Sequence, residues 1–186
     1  MTQTKTLLKS IFATIILSAF IFTSCKKDNG GGSSDNLASG GASIQFNTSA
    51  SFGGKNEFKS NAKEQSKVIK VNNLSRTQIT FTCVETNLPR LSTATLTLIV
   101  AQGSTTSGGA ITGKFENGSS AATQGQLLIG SSNAGSGAES YASSTGNFTI
   151  TKLTDSEIEG TFDAACINNT TKTNISLSSG KFAGKF

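Results

Sequence analysis

Histidine and tryptophan are absent from this chain of 186 residues, which holds one tyrosine, one proline and three cysteines. Without histidine there can be no Ser-His-Asp triad and no Cys-His nucleophile pair. The imidazole ligands on which most zinc and copper sites rest are missing as well. With no tryptophan and Tyr141 as the single tyrosine, little is available for an exposed aromatic platform that could grip a sugar. Charge is sparse too: 16 lysines and arginines against 11 aspartates and glutamates give a formal net charge of +5. The basic residues are scattered, where a nucleic-acid binder gathers them on one face or helix. No G-x-x-x-x-G-K-[ST] loop cradles a phosphate, and no Asp-x-Asp-x-Asp-Gly loop holds calcium. These gaps leave no catalytic signature, no expected cofactor and no nucleic-acid partner. An enzyme is the least favoured class.

What the chain does have begins at its N-terminus. Lys5 and Lys9 precede an apolar run from Ile11 to Phe22, and the small residues Thr23 and Ser24 precede Cys25. That is the order of a secretory signal: a basic region, a short apolar region, then small residues at the cut. The run of 12 residues, interrupted by Thr14 and Ser18, falls short of the roughly 20 that a bilayer-spanning helix needs. Cys25 stands where a bacterial lipoprotein signal places its acylated cysteine, in the frame Phe22-Thr23-Ser24-Cys25. The expectation is a lipoprotein signal peptide over 1–24 and a mature chain that starts at a lipidated Cys25. Each buried CH₂ contributes roughly 0.8 kcal/mol, so one acyl chain binds marginally and two or more anchor stably. Loss of Lys5 and Lys9 with the signal takes the net charge from +5 to +3. Residues 25–41 are rich in Gly and Ser and read as a flexible tether.

Over 42–186 the apolar residues recur with period two, the mark of half-buried strands. Ile44 and Phe46 alternate with polar residues, as do Ile79, Phe81 and Cys83, then Leu96 and Leu98, then Phe148 and Ile150. Ile158, Phe162, Ala164 and Cys166 line one longer strand, Ile175 and Leu177 another, and Phe182 marks a last one. Turn chemistry punctuates these runs at Asn72-Asn73, Asn87-Leu88-Pro89, Gly103 to Gly109, Asn117-Gly118, Thr154-Asp155-Ser156 and Ser178-Ser179-Gly180. Asn61 to Lys67 is the best helix candidate, short and polar, and Ser131 to Ser140 reads as a mobile loop. Regularly spaced short strands with Gly-rich turns predict an all-β domain, an antiparallel β-sandwich or partly open β-barrel.

Several residues could carry chemistry, and most have a plainer use. Cys83 and Cys166 form an even pair in a compartment where disulfides persist. They are either a disulfide or two separate buried thiols, since cysteine also packs as a small apolar residue. Asp155, Glu157, Glu159 and Asp163 are the densest acidic run, but Glu157 and Glu159 flank Ile158 and point outward if Ile158 points in. Ser60-Asn61-Ala62-Lys63, Ser34-Asp35-Asn36 and Lys172-Thr173-Asn174 are fragments of the serine β-lactamase set, in the wrong order and with the last lacking its glycine. Phe52 and Phe58, either side of Gly53-Gly54, are expected to pack under a loop.

Ser24-Cys25-Lys26-Lys27-Asp28 followed by a Gly/Ser tether resembles the lipoproteins of Bacteroidetes-type bacteria. Over the C-terminal third, Gly146-Asn147-Phe148-Thr149-Ile150-Thr151-Lys152, Ile158-Glu159-Gly160-Thr161-Phe162 and Gly180-Lys181-Phe182 are similar to the strands of a small all-β lipoprotein domain family of unknown function. Phe52-Gly53-Gly54-Lys55 stands where members of that family often carry an Asp-Gly-Lys turn and a Trp. The resemblance implies no catalytic residues. The expectation from residues and resemblance together is a lipid-anchored outer-membrane protein, periplasmic or surface-exposed, serving as a non-catalytic interaction or structural module. Its partners would be the membrane, through acylated Cys25, and a protein or glycan bound by its loops. The rival is a carrier of a small hydrophobic ligand inside a β-barrel, which would need an apolar pocket of roughly several hundred Å³.

Overall fold

Thr, Ser and Asn alternate with Phe, Ile and Leu along most of the domain, and each such run forms a strand. The structure, a computed structural model, describes residues 33–116, 122–133 and 136–186. The expected signal peptide, Cys25, the first part of the expected tether and the expected Asn117-Gly118 turn lie outside the described residues. Ten strands follow one another: β1 (Ala42–Phe52), β2 (Lys55–Lys59), β3 (Lys67–Asn72), β4 (Arg76–Asn87), β5 (Arg90–Ala101), β6 (Ile111–Phe115), β7 (Gln124–Asn133), β8 (Ser136–Leu153), β9 (Glu157–Asn168) and β10 (Asn174–Lys185). The protein is all-β.

The strands make one mixed sheet in the order β2-β1-β10-β9-β8-β6-β7-β5-β4-β3, with β8 also paired to β7. Every pairing is antiparallel except that of β6 with β7. The sheet curls until its two ends approach. Gly41, just before β1, bridges Lys67 of β3, and the rings of Phe81 on β4 and Phe182 on β10 lie 5.4 Å apart. Pairing between the ends stops at that bridge, so the sheet is not closed into a barrel. Bulges in β8 against β9 and in β10 against β9 supply part of the curvature.

Alternation runs apolar-in and polar-out, the inverse of a barrel whose outer wall meets lipid. Phe58, Phe46, Phe162, Phe115, Phe148, Phe182 and Phe81 are all buried. Their rings form a continuous chain of contacts across the interior, with centroids 5.0–6.5 Å apart. Such pairs contribute about 0.5–1.5 kcal/mol each beyond area burial. Four of the rings sit opposite a glycine in the strand register: Phe182 on Gly160, Phe162 on Gly180, Phe148 on Gly113 and Phe115 on Gly125. A side chain at Gly160 would run into the Phe182 ring and the Thr149 carbonyl. The missing Cβ is what lets the neighbouring ring fold over the strand.

Four local expectations differ from what is observed. Asn61 to Lys67 makes a single turn, closed by bonds from Gln65 and Ser66 N–H to the Ala62 carbonyl. It is held there because Asn61 and Ala62 N–H donate to Val84 and so tie the segment to β4. Within Ser131 to Ser140, residues 131–133 and 136–140 belong to two long strands, β7 and β8, whose registered pairs continue out to Asn133 and Ser136. Ser178-Ser179-Gly180 is a bulge inside β10, with Ser179 at a φ of 54°. Finally, residues 33–41 are tied to the domain. Ser34–Asn36 form a one-turn 3-10 helix, and Gly40 N–H donates to the Lys185 carbonyl at 2.6 Å.

Candidate functional site

The register gives the curled sheet two distinct ends. At the distal end lie the Gly53-Gly54 turn, the Leu88-Pro89 turn, the ends of β7 and β8, and residues 169–173. At the proximal end lie residues 33–40, the 73–75 turn, residues 102–110, the 154–156 turn and Phe186.

Buried polar groups gather at the distal end. The β1–β2 hairpin needs Gly53 and Gly54 because both sit at positive φ, 61° and 80°, a region glycine enters at no steric cost. Gly53 N–H donates to a carboxylate oxygen of Glu139, and the Tyr141 hydroxyl donates to the other at 3.3 Å. Ser92 on β5 donates to Ser131 on β7 at 3.1 Å, buried under the same turn. Lys55 pairs with Glu85 at 3.1 Å. Arg90, opposite Asn133 in the register, lies over Gly54 so closely that a Cβ there would meet its guanidinium. Among the described residues, the Nε of Arg90 and the Oδ1 of Asn133 are buried without a hydrogen-bond partner. An unspent donor and an unspent acceptor on neighbouring strands are what a polar ligand or loop could use. Phe52 and Phe58 are buried here, Phe52 edge-on to Tyr141 at 6.2 Å and Phe58 stacked on Phe46 at 5.0 Å.

The acidic run divides between two uses. Glu157 and Glu159 do flank a buried Ile158 and face outward. They hold the N-terminal turn: the Ser34 hydroxyl donates to Glu157 at 2.6 Å and reaches Glu159 at 2.5 Å, and Ser34 N–H donates to Glu159 at 2.9 Å. Lys152 completes the group with a 2.8 Å ion pair to Glu157. The Lys152 ammonium and the Ser34 hydroxyl hold the Glu157 carboxyl below its ordinary pKa, and Lys152 is raised in turn. Asp155 and Asp163 are exposed. Among the described residues no group of three or more acidic or sulfur side chains is arranged for a metal ion.

Cys83 and Cys166 are both free and both buried, so the disulfide alternative gives way to two separate thiols. The register explains it: Cys83 on β4 pairs with Ala94, and Cys166 on β9 pairs with Ser143 and Ile175, so neither stands beside the other. Burial pushes each thiol up to about 12, opposed at Cys83 by contacts with the Ser66 and Ser60 hydroxyls. The β-lactamase-like fragments are equally committed. Ser60 accepts from Ile44 N–H at 3.0 Å, and Ser34 is buried in its turn against Glu157 and Glu159.

Sequence reasoning did not find the distal cluster, because Arg90, Asn133 and Glu139 meet only through strand register. The Gly53-Gly54 pair was its one visible mark. No known protein family, curated protein or solved structure matches the chain.

Proposed function

We propose that the protein is a lipid-anchored envelope protein whose β-domain works as a non-catalytic interaction module, presenting its distal loops to a protein or glycan. The observation that carries this reading is the phenylalanine-packed interior. Seven rings in mutual contact occupy the space between the sheet walls. A ligand carrier would have to open that packing, whereas a scaffold leaves its rigid interior alone and binds through its loops. The distal end supports the second course, with its pinned glycine hairpin and the unspent Arg90 and Asn133 groups. The anchor is argued from Lys5, Lys9, the apolar run and Cys25, and the resemblance to Bacteroidetes-type lipoproteins supports an outer-membrane address. Among the described residues no helix is long and apolar enough to cross a membrane.

Membrane fractionation with a Cys25→Ala variant tests the reading. The native chain is expected in the detergent-soluble membrane fraction and the variant in the aqueous fraction, with both folded. A variant that still partitions with membranes contradicts the anchor. Lipid retained by the purified domain in native mass spectrometry would instead favour the carrier.

A further inference from the structure

Among the described residues, three of the four large apolar side chains that stay in water lie at the proximal end, and the fourth, Leu88, stands alone on a distal turn. Ile69, Val71 and Leu74 are 61%, 48% and 103% exposed. Ile69 and Val71 share the outer face of β3, and Leu74 caps the turn that follows, so the three form one strip. Isolated exposed apolar residues are ordinary surface, but three of them along one strand and its turn mark a contact face. Lys67 and Arg76 are exposed at its two ends.

The strip lies on the side from which the chain enters. β3 runs antiparallel to the segment at Gly41 and continues past the start of β1. Lys70 reaches the Thr154 carbonyl at 3.3 Å and stands 4.9 Å over the Phe186 ring, so β3 passes over the proximal turns before reaching Leu74. Ser34 is fixed at the same end by Glu157 and Glu159. From Cys25 to Ser33 there are eight residue steps, which span at most about 26–29 Å in any conformation. An anchor at Cys25 therefore holds this end, and not the distal one, close to the lipid.

We propose that the strip Ile69, Val71 and Leu74, with Lys67 and Arg76 beside it, seats the proximal end of the domain on the phospholipid surface in which Cys25 is anchored. This rests on the anchor reading above. Apolar side chains entering the headgroup boundary with basic residues over anionic phosphates are the pattern of interfacial binding. A second copy fits the strip poorly. Packing strip against strip would set its Lys67 and Arg76 against those of the partner, and such like charges oppose the contact.

The test uses the acylated full-length product in vesicles of phosphatidylethanolamine and phosphatidylglycerol. A solvatochromic label is placed at Leu74→Cys and, as the opposite-end control, at Leu88→Cys. Cys83 and Cys166 are buried and leave the label to the new thiol. The label at position 74 is expected to emit to the blue and to be quenched by lipid-borne quenchers, while that at 88 keeps its water-like emission. Adding Ile69→Glu and Val71→Glu to the Leu74→Cys chain should abolish the shift without releasing the protein from vesicles. Water-like emission at both positions in an anchored protein overturns the seating and leaves the anchor standing. A chain that fails to float with the vesicles overturns both. A shift that vanishes on dilution to isolated copies reports a second copy on the strip and also overturns the proposal.

Discussion

Each of the rings on Phe162 and Phe182 lies over a glycine of the neighbouring strand, and the pairing is reciprocal: Phe182 with Gly160, Phe162 with Gly180. Gly160→Ala is therefore expected to destabilise the domain by about 1–3 kcal/mol, the usual cost of forcing extra volume into a packed core. Chemical denaturation should show it as a lower midpoint with an unchanged slope. The motif was legible only in part. Gly160-Thr161-Phe162 and Gly180-Lys181-Phe182 stood out within the sequence, but Gly113-Lys114-Phe115 and Gly146-Asn147-Phe148 repeat the same spacing. Register separates the repeats: Gly113 faces the Phe148 ring and Phe115 faces Gly125 across the parallel pairing, whereas Gly146 faces Ala164. The cysteines belong to this scale as well. With both thiols buried and pushed up to about 12, Cys83 and Cys166 should resist a thiol reagent at neutral pH and react together only on unfolding. Labelling before unfolding, or a mass that falls short of its reduced value by two hydrogen atoms, would contradict the free buried pair.

Among the elements, the segment before β1 departs furthest from its composition. Its Gly and Ser predicted a solvated tether, yet residues 33–41 form a strap against β9 and β10. Composition reports what a segment can do unaided, and the acceptors that capture Ser34 lie more than 120 positions away. The same reason hid the distal cluster and let β7 and β8 pass for a loop: Ser-rich strands are recognised by their partners and not by their own hydrophobicity. Strongly alternating segments such as β4, β5 and β9 needed no partner to be read, because period two is a local property. The strap should respond to pH. The Glu157 pKa is depressed, so its contribution is present above the ordinary 4.5 and is lost as pH falls through the folded value. Lys152 is raised, so its contribution is present below 10.5 and is lost as pH rises through its folded value. Amide exchange at Ser34 and Leu37, corrected for intrinsic rates, is expected to accelerate below pH 4.5 and above 10.5. Ser34→Ala should give the fast rate across the whole range, with the core amides unaffected.

At the scale of the whole molecule, the curled sheet has two unlike ends. Its phenylalanine interior fixes the walls, and the proposed function assigns binding to the ends. The proximal end carries the strap and the exposed strip, and the distal end carries the pinned hairpin with Arg90 and Asn133. The all-β class was legible from alternation and turn spacing, whereas the curl was not, since it depends on bulges and on the meeting of β3 with Gly41. The proposed address rests on Lys5, Lys9, the apolar run and Cys25, a local pattern that the sequence shows without any partner segment. Intact-mass analysis of the protein purified from cell envelopes tests that address most directly. The account predicts a chain that begins at Cys25 and is heavier than its unmodified sequence by a diacylglyceryl group, with or without a further acyl chain. A chain that retains residues 1–24, or one that begins at Cys25 with no added mass, would contradict it.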